Sequence, residues 1–305
     1  METKDCNGNV LAQGDTVMVN KTLKVKGSSL TLKQGTVLKN IRLIDEEDAI
    51  EVKVDKSVLV LKKEKLMSKQ VLHLADSRGH AKHGWLDSKH TFSFANYYNP
   101  ERMHFGVLRV LNDDTVDAGM GFGEHPHDNM EIISIPLAGD LAHADSMGNT
   151  AVIRNGDIQV MSAGTGITHS EYNKNKDQEV KFLQIWIFPN KHNVTPRYDQ
   201  ITLNLSDRIN KLQQIISPNE NDEGVWIHQN AWFHIGKFDQ YFTAPYTLKD
   251  PSNGLYIFNL SGQVQINEQL LHPRDGFGIW ETNQVNIKAI TESEFLIMEV
   301  PMKLG

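Results

Sequence analysis

The stretch Gly119-Met-Gly-Phe-Gly-Glu-His125-Pro-His127-Asp-Asn-Met-Glu131 decides how the rest of the chain reads. In a β-strand, residues two apart point to the same face. His125 and His127 therefore aim two imidazoles the same way. Further along, Thr168-His169-Ser170-Glu171 repeats the device with an imidazole and a carboxylate two apart. Three imidazoles and one carboxylate form a borderline-hard N/O donor set. It suits Fe(II), Mn(II), Co(II), Ni(II), Cu(II) or Zn(II), with geometry rather than affinity choosing among them. Four protein ligands on an octahedral ion leave two positions for oxygen, water or a chelating substrate. The set holds no thiolate, which argues against a structural zinc site. A lone His-x-His is commonly packing; two same-face pairs behind glycine turns point to a metal centre. Glu131 lies an even count from both histidines, so it is a second candidate carboxylate, as ligand or as an acceptor orienting a histidine.

Outward from this stretch the chain stays β-rich. Phe105–Leu111, Glu131–Leu137, Ile158–Met161 and Phe182–Phe188 read as strands, while Ser206–Gln214 is the one weak helical candidate. Closely spaced strands without intervening helices predict a sandwich or barrel. The second half echoes the first. Glu131-Ile-Ile-Ser-Ile-Pro-Leu-Ala-Gly139 resembles Leu255-Tyr-Ile-Phe-Asn-Leu-Ser-Gly262, and Asn155-Gly-Asp-Ile-Gln-Val-Met resembles Arg274-Asp-Gly-Phe-Gly-Ile-Trp. Two barrels of one plan are expected. Aligned on Gly139 and Gly262, His125 and His127 fall on Leu248 and Asp250, so the second barrel is expected to lack a metal. Of the other histidines, His80, His83, His90 and His104 lie in a polar, aromatic segment before the site and read as edge or surface packing, with one of them a candidate for lining its mouth; His228 and His234 have no spaced partners. His143, behind a strand turn, is expected to be exposed. Trp85, Phe92, Phe94, Tyr97 and Tyr98 read as core. The glycines of Ala163-Gly-Thr-Gly-Ile precede a ligand strand and carry no Lys-Ser/Thr, so they make no phosphate loop.

The N-terminal part is different in kind. Residues 1–66 hold 12 Lys+Arg against 10 Asp+Glu, whereas the rest holds 19 against 28. Asp15–Val19, Thr36–Leu43, Ile50–Val54 and Val58–Leu61 read as short strands. Turn signals stand at Gly14, Lys26-Gly-Ser28, Gln34-Gly35 and Asp45–Asp48. A compact SH3-like barrel follows, then a charged linker at Lys62–Ser68. The expected plan is all-β in three domains: 1–66 the small barrel, 67–189 the barrel with the metal, and 190–305 the barrel without it. Cys6 is the single cysteine of 305 residues, which excludes an intramolecular disulfide and a cysteine-based zinc cluster. The polar start and the lack of a long apolar run lead to the expectation of a cytoplasmic protein without a membrane partner. A formal net charge of -7 leads to the expectation that nucleic acid is not a direct partner.

Several stretches of residues 70–305 resemble the pirin family of the cupin superfamily. They are Arg78-Gly-His-Ala-Lys-His-Gly-Trp-Leu-Asp-Ser, His90-Thr-Phe-Ser-Phe-Ala-Asn-Tyr-Tyr, Gly121–Glu131, Met161-Ser-Ala-Gly-Thr-Gly-Ile-Thr-His-Ser-Glu-Tyr-Asn, Gln184-Ile-Trp-Ile and Thr195-Pro-Arg-Tyr. The similarity is greatest to the bacterial pirin-like quercetinases. It implies a bicupin fold and iron as the usual metal. It also implies His125, His127, His169 and Glu171 as ligands, since pirins use the glutamate two after the third histidine rather than the one at Glu131. Asn7-Gly-Asn-Val-Leu-Ala-Gln-Gly-Asp, Leu23–Thr36 and Lys39-Asn-Ile-Arg-Leu are similar to the C-terminal domain of PhnA-like proteins. That family usually carries a cysteine-rich zinc ribbon in front, which this chain lacks.

The resemblance implies a quercetin 2,3-dioxygenase activity. A flavonol would bind the metal through its 3-hydroxyl, with Glu171 as general base, and be opened by O2 with loss of carbon monoxide. The alternative is a non-catalytic, iron-bearing redox sensor that binds protein partners. The N-terminal domain is then an interaction or solubility module.

Overall fold

The computed structural model describes residues 11–19, 23–25, 30–33, 36–44, 49–54, 57–62 and 69–304. The turns expected at Lys26–Ser28, Gln34-Gly35 and Asp45–Asp48, and the linker beyond Lys62, lie outside them. The chain divides into two compact units, Met1–Lys69 and Gln70–Gly305.

In the N-terminal unit the described strands pair as Val17–Met18 with Val37–Leu38, Leu23–Lys24 with Thr31–Leu32, and Arg42–Leu43 with Ala49–Val54 and Ser57–Lys62. Leu32, Leu38, Ile41, Val52 and Leu59 pack their core. The single strand expected over Thr36–Leu43 is two. Asn40 sits between them at φ 53°, a left-handed conformation that Asn tolerates and that no strand continues through.

The larger unit is all-β, as expected, and is built twice to one plan. In each half a seven-stranded sheet faces a four-stranded one. The first large sheet runs Arg197–Thr202, Asp157–Ser162, Glu131–Ala138, Val180–Ile187, Leu108–Val116, Leu86–His90, Gly79–Lys82. Its small partner runs Gly121–His127, Ile167–Asn173, Leu141–Asp145, Thr150–Ile153. The second large sheet runs Val225–Trp226, Leu212–Ser217, Trp232–Phe238, Ser293–Pro301, Asn253–Ser261, Gly276–Trp280, Lys69–His73. Its partner runs Thr243–Thr247, Gln284–Ala289, Val264–Ile266, Gln269–Leu271. The strand Lys69–His73 thus does for the second barrel what Arg197–Thr202 does for the first, although it precedes the first barrel in sequence. His73 anchors it, its Nδ1 lying 2.8 Å from the buried Tyr256 hydroxyl.

The two large sheets pack back to back. Ile133, Ile135, Ile158, Val160, Leu183 and Ile185 meet Ile215, Phe233, Ile235, Phe258, Leu296 and Met298 in one core. Glu131–Ala138 is therefore buried on both faces, which is why its apolar residues run almost continuously instead of alternating. The helix expected over Ser206–Gln214 is a correction. Only the 3-10 turn Leu205–Arg208 forms, with Asn204 capping it, and the chain then enters the strand Leu212–Ser217 because Trp232–Phe238 offers it a ladder.

The repeat is visible in two turns. Gly139 and Gly262 sit at φ 73° and 70°, and a side chain at either would meet the backbone carbonyl of Glu179 or Glu292 respectively. Asp157 and Asp275 each accept a hydrogen bond from the backbone N–H three residues earlier, Arg154 and His272. The match read in the sequence set Asp157 against Gly276; the structure moves it by one residue.

Candidate metal centre

Gly121–His127 pairs with Ile167–Asn173 in a register that sets Phe122 against Glu171 and His125 against His169. Three residues on one strand thus span two on the other. The bulge lies at Gly123-Glu124, and it turns Phe122, His125 and His127 to the barrel interior together. A side chain at Gly121 would collide with the Glu171 carbonyl oxygen and Tyr172, so glycine alone lets these strands approach here. After His127 the chain turns at Asn129 (φ 44°), whose backbone N–H donates to the Gly164 carbonyl at 2.9 Å. The loop after the first of these strands is thereby tied to the loop before the second.

The result is a compact group. The ligand atoms of His125, His127 and His169 lie within 4.8 Å of one another, and this is the only such group among the described residues. The His125 Nδ1–H donates to the Gly123 carbonyl at 2.8 Å, which leaves Nε2 as its free lone pair. His127 Nε2 and both ring nitrogens of His169 are buried without hydrogen-bond partners. Buried polar atoms are normally satisfied, so a cluster of orphaned imidazole nitrogens fits a cation. Burial first, then the neighbouring His125, pushes the His127 pKa down to about 4. Burial together with His125, His127 and His143 pushes His169 down to about 2. Neutral imidazoles are the form that ligates a metal.

Glu171 is inside the same barrel, two residues beyond His169 and fully buried. Burial raises its pKa, opposed by the hydrogen bond from Ser134. Ser134 Oγ donates to its Oε1 and Gln184 Nε2 to its Oε2, each at 2.9 Å. These partners come from Glu131–Ala138 and Val180–Ile187, so the large sheet holds the carboxylate that the small sheet presents. Trp186, two residues past Gln184, sets its ring 4.8 Å from that of His127.

Glu131 is not in this cavity. Its alternating neighbours Ile133 and Ile135 face the second barrel, and Glu131 faces that way too. Ser162 Oγ donates to it at 2.8 Å. Burial lifts its pKa to about 7, opposed by the Ser162 hydrogen bond and by Arg197. An even count from the histidines does not carry a face across the turn at Asn129 into a different sheet. His143 departs from expectation in the opposite direction. It is buried in the barrel, its Nε2 3.1 Å from Asp145 Oδ2 and its ring 5.4 Å from that of His169. The pair His143-Ala-Asp145 carries the same two-residue spacing as the other site strands, which was the available signal.

His80, by contrast, is half-exposed beside Asp87. His90 is buried against Phe94 and Tyr97. Phe92 is core, as expected, while Tyr98 is exposed.

Comparison with known proteins agrees with this geometry. The Pirin family model matches residues 71–187, the quercetinase C-terminal cupin domain model residues 214–300, and the PhnA domain model residues 3–69. A protein of Escherichia coli (strain K12) named quercetin 2,3-dioxygenase is 42% identical over 230 residues, 75% of this chain and 98% of that one.

The chain belongs to the pirin family.

A Pseudomonas aeruginosa pirin relative named putative quercetin 2,3-dioxygenase is 38% identical over 226 residues, 74% of this chain and 97% of its own. The crystal structure of the bacterial pirin YhhW from Escherichia coli in complex with nickel(II) superposes with a TM-score of 0.73 at 40% identity, covering 76% of this chain and 99% of that one. A quercetin 2,3-dioxygenase structure from Acinetobacter baumannii shares the fold at 18% identity and a TM-score of 0.61, covering 77% and 88% of the two chains. The Escherichia coli pirin YhhW holds nickel(II), a divalent metal, and the histidine group here offers imidazole donors suited to such an ion. In the second pirin barrel the corresponding strand Gln284–Ala289 turns Val285, Ile287 and Ala289 inward, packed by Tyr246, Leu255, Ile257 and Ile266. These apolar side chains stand where the first barrel's strand carries His169 and Glu171.

Proposed function

We propose that this pirin is a metal-dependent dioxygenase of the quercetinase type, opening a flavonol such as quercetin with O2. Its metal is Fe(II), held by His125, His127, His169 and Glu171. The observation that carries the reading is the group of three converging imidazoles, in which His127 Nε2 and both nitrogens of His169 are buried without a partner. When bound, the metal supplies Lewis acidity that favours the phenolate form of a coordinated hydroxyl. The chain's own residues do the rest. Neutral imidazoles keep the site electron-rich. Glu171 takes the substrate's 3-hydroxyl proton at a carboxylate oxygen, and Ser134 and Gln184 hold that oxygen pair in place. The soft coordination of a carboxylate permits this double use, which an imidazole does not. The N-terminal PhnA domain is proposed as an interaction or solubility module.

The test is oxygen consumption and carbon monoxide release by iron-loaded protein with quercetin. Turnover in air, none under nitrogen, and its loss in Glu171→Ala support the reading. No oxygen uptake, with Glu171→Ala indistinguishable from wild type, would sink it. In that case, capture of a protein partner that depends on the metal's oxidation state would favour the redox-sensing alternative.

A further inference from the structure

His143 has no part in the ligand set, yet its side chain is wholly shielded from solvent. It stands on Leu141–Asp145 directly across from Glu171 in register, so both face the barrel interior. Its ring lies 5.4 Å from His169 and 4.8 Å from Tyr198. Asp145 Oδ2 is 3.1 Å from its Nε2. That carboxylate is held from several sides: the backbone N–H of Met147 (2.9 Å) and of Asn149 (3.1 Å) and the Asn149 side-chain amide (2.9 Å) all donate to it. A carboxylate with that many donors is an acceptor, so the hydrogen of the neutral imidazole resides on Nε2 and Nδ1 is a lone pair. His143 Nδ1 is buried and has no hydrogen-bond partner. Buried acceptors are rarely left unmade. An imidazole whose tautomer is fixed from behind and whose acceptor is open, in the cavity of the three-histidine group, is arranged to receive a donor from a ligand.

We propose that His143 is a substrate-binding residue of this centre: its Nδ1 accepts a hydrogen bond from a hydroxyl of a polyhydroxylated aromatic ligand, and Asp145 is the positioning residue that fixes its tautomer. The inference rests on the dioxygenase reading and deepens it, since it makes the substrate one that carries a second hydroxyl besides the group at the metal.

The test is anaerobic titration of nickel-loaded protein with quercetin and with its mono-O-methyl ethers, read by the shift of the flavonol absorbance. His143→Phe is expected to bind its full metal complement and to weaken quercetin binding roughly tenfold. One methyl ether, the one that caps the hydroxyl in question, is expected to bind wild type and variant alike. Asp145→Asn is expected to reproduce the loss while keeping the ring, because an amide donor at Nε2 moves the hydrogen to Nδ1. This second variant carries the comparison if His143→Phe does not fold. Unchanged quercetin affinity in both variants, or an equal loss for quercetin and every ether, overturns the proposal. If wild type consumes oxygen with quercetin while the variants show no discrimination, this inference alone fails. If wild type binds no flavonol, the dioxygenase reading fails and takes the inference with it.

Discussion

His169 stands among His125, His127 and His143, with ring centroids 4.4, 4.9 and 5.4 Å away. No other nitrogen in the cavity has so many like neighbours, and a proton there would be repelled by each of them once charged. Replacing it with alanine removes the centre of the donor group. His169→Ala is expected to lower divalent-metal affinity by more than about 100-fold, measured by competition with a chromophoric chelator. Gln184→Ala leaves the three imidazoles in place but frees one oxygen of Glu171. A loss of roughly 10–100-fold is expected from it, with the same measurement. If Gln184→Ala binds metal as wild type does, Glu171 is not a ligand. The grouping of His125, His127 and His169 was legible in the sequence because two-residue spacing in a strand is a local property. Gln184 and Ser134 were not, because they reach Glu171 from strands far away in the chain, and only the register between Glu131–Ala138 and Val180–Ile187 places them side by side. His143 was within reach of the same local rule and was missed because the turn before it suggested exposure.

At the scale of strands and turns, parity cannot be carried past a feature that resets it. The bulge at Gly123-Glu124 shifts the register between Phe122 and His125. The turn at Asn129 puts Glu131 into another sheet, beside Ser162 and Arg197 of that same sheet. Arg197 in turn stacks on Trp226, its guanidinium carbon 3.9 Å from the ring centroid. Glu131 gives a prediction in pH. Its pKa of about 7 in the folded chain exceeds the ordinary 4.5. The neutral form is therefore favoured by folding, and the contribution is present below 4.5 and lost as pH rises through 7. Glu131→Gln cannot ionise. Its stability relative to wild type is expected to rise by about 2–3 kcal/mol between pH 5 and pH 8, by urea denaturation. A difference that does not vary with pH contradicts the assignment. The turn at Gly262 gives another. At φ 70°, with the Glu292 carbonyl where a side chain would go, Gly262→Ala is expected to destabilise the chain by about 1–3 kcal/mol.

The larger unit is a duplicated barrel in which the strand carrying His169 and Glu171 in the first copy is matched by a strand of inward apolar side chains in the second. The repeat and the all-β class were readable from residue types alone. The route of the chain between the barrels was not. Lys69–His73 crosses to the second sheet, and Arg197–Thr202 closes the first, because each completes a ladder that only the assembled sheets present. The N-terminal unit is a separate compact body. A chain beginning at Lys69 is expected to keep wild-type metal affinity, whereas one beginning after His73 is expected to melt at lower temperature because the second sheet loses an edge strand and the Tyr256 contact. Equal melting of the two would contradict that role. The central claim is a single metal held by the histidines of the first barrel. Its most direct measurement is metal content by mass spectrometry, on protein purified without chelator or nickel resin. The account predicts about one metal ion per wild-type chain and close to none in His127→Ala and His169→Ala. A folded wild-type protein without metal, or variants that retain the wild-type amount, would contradict it.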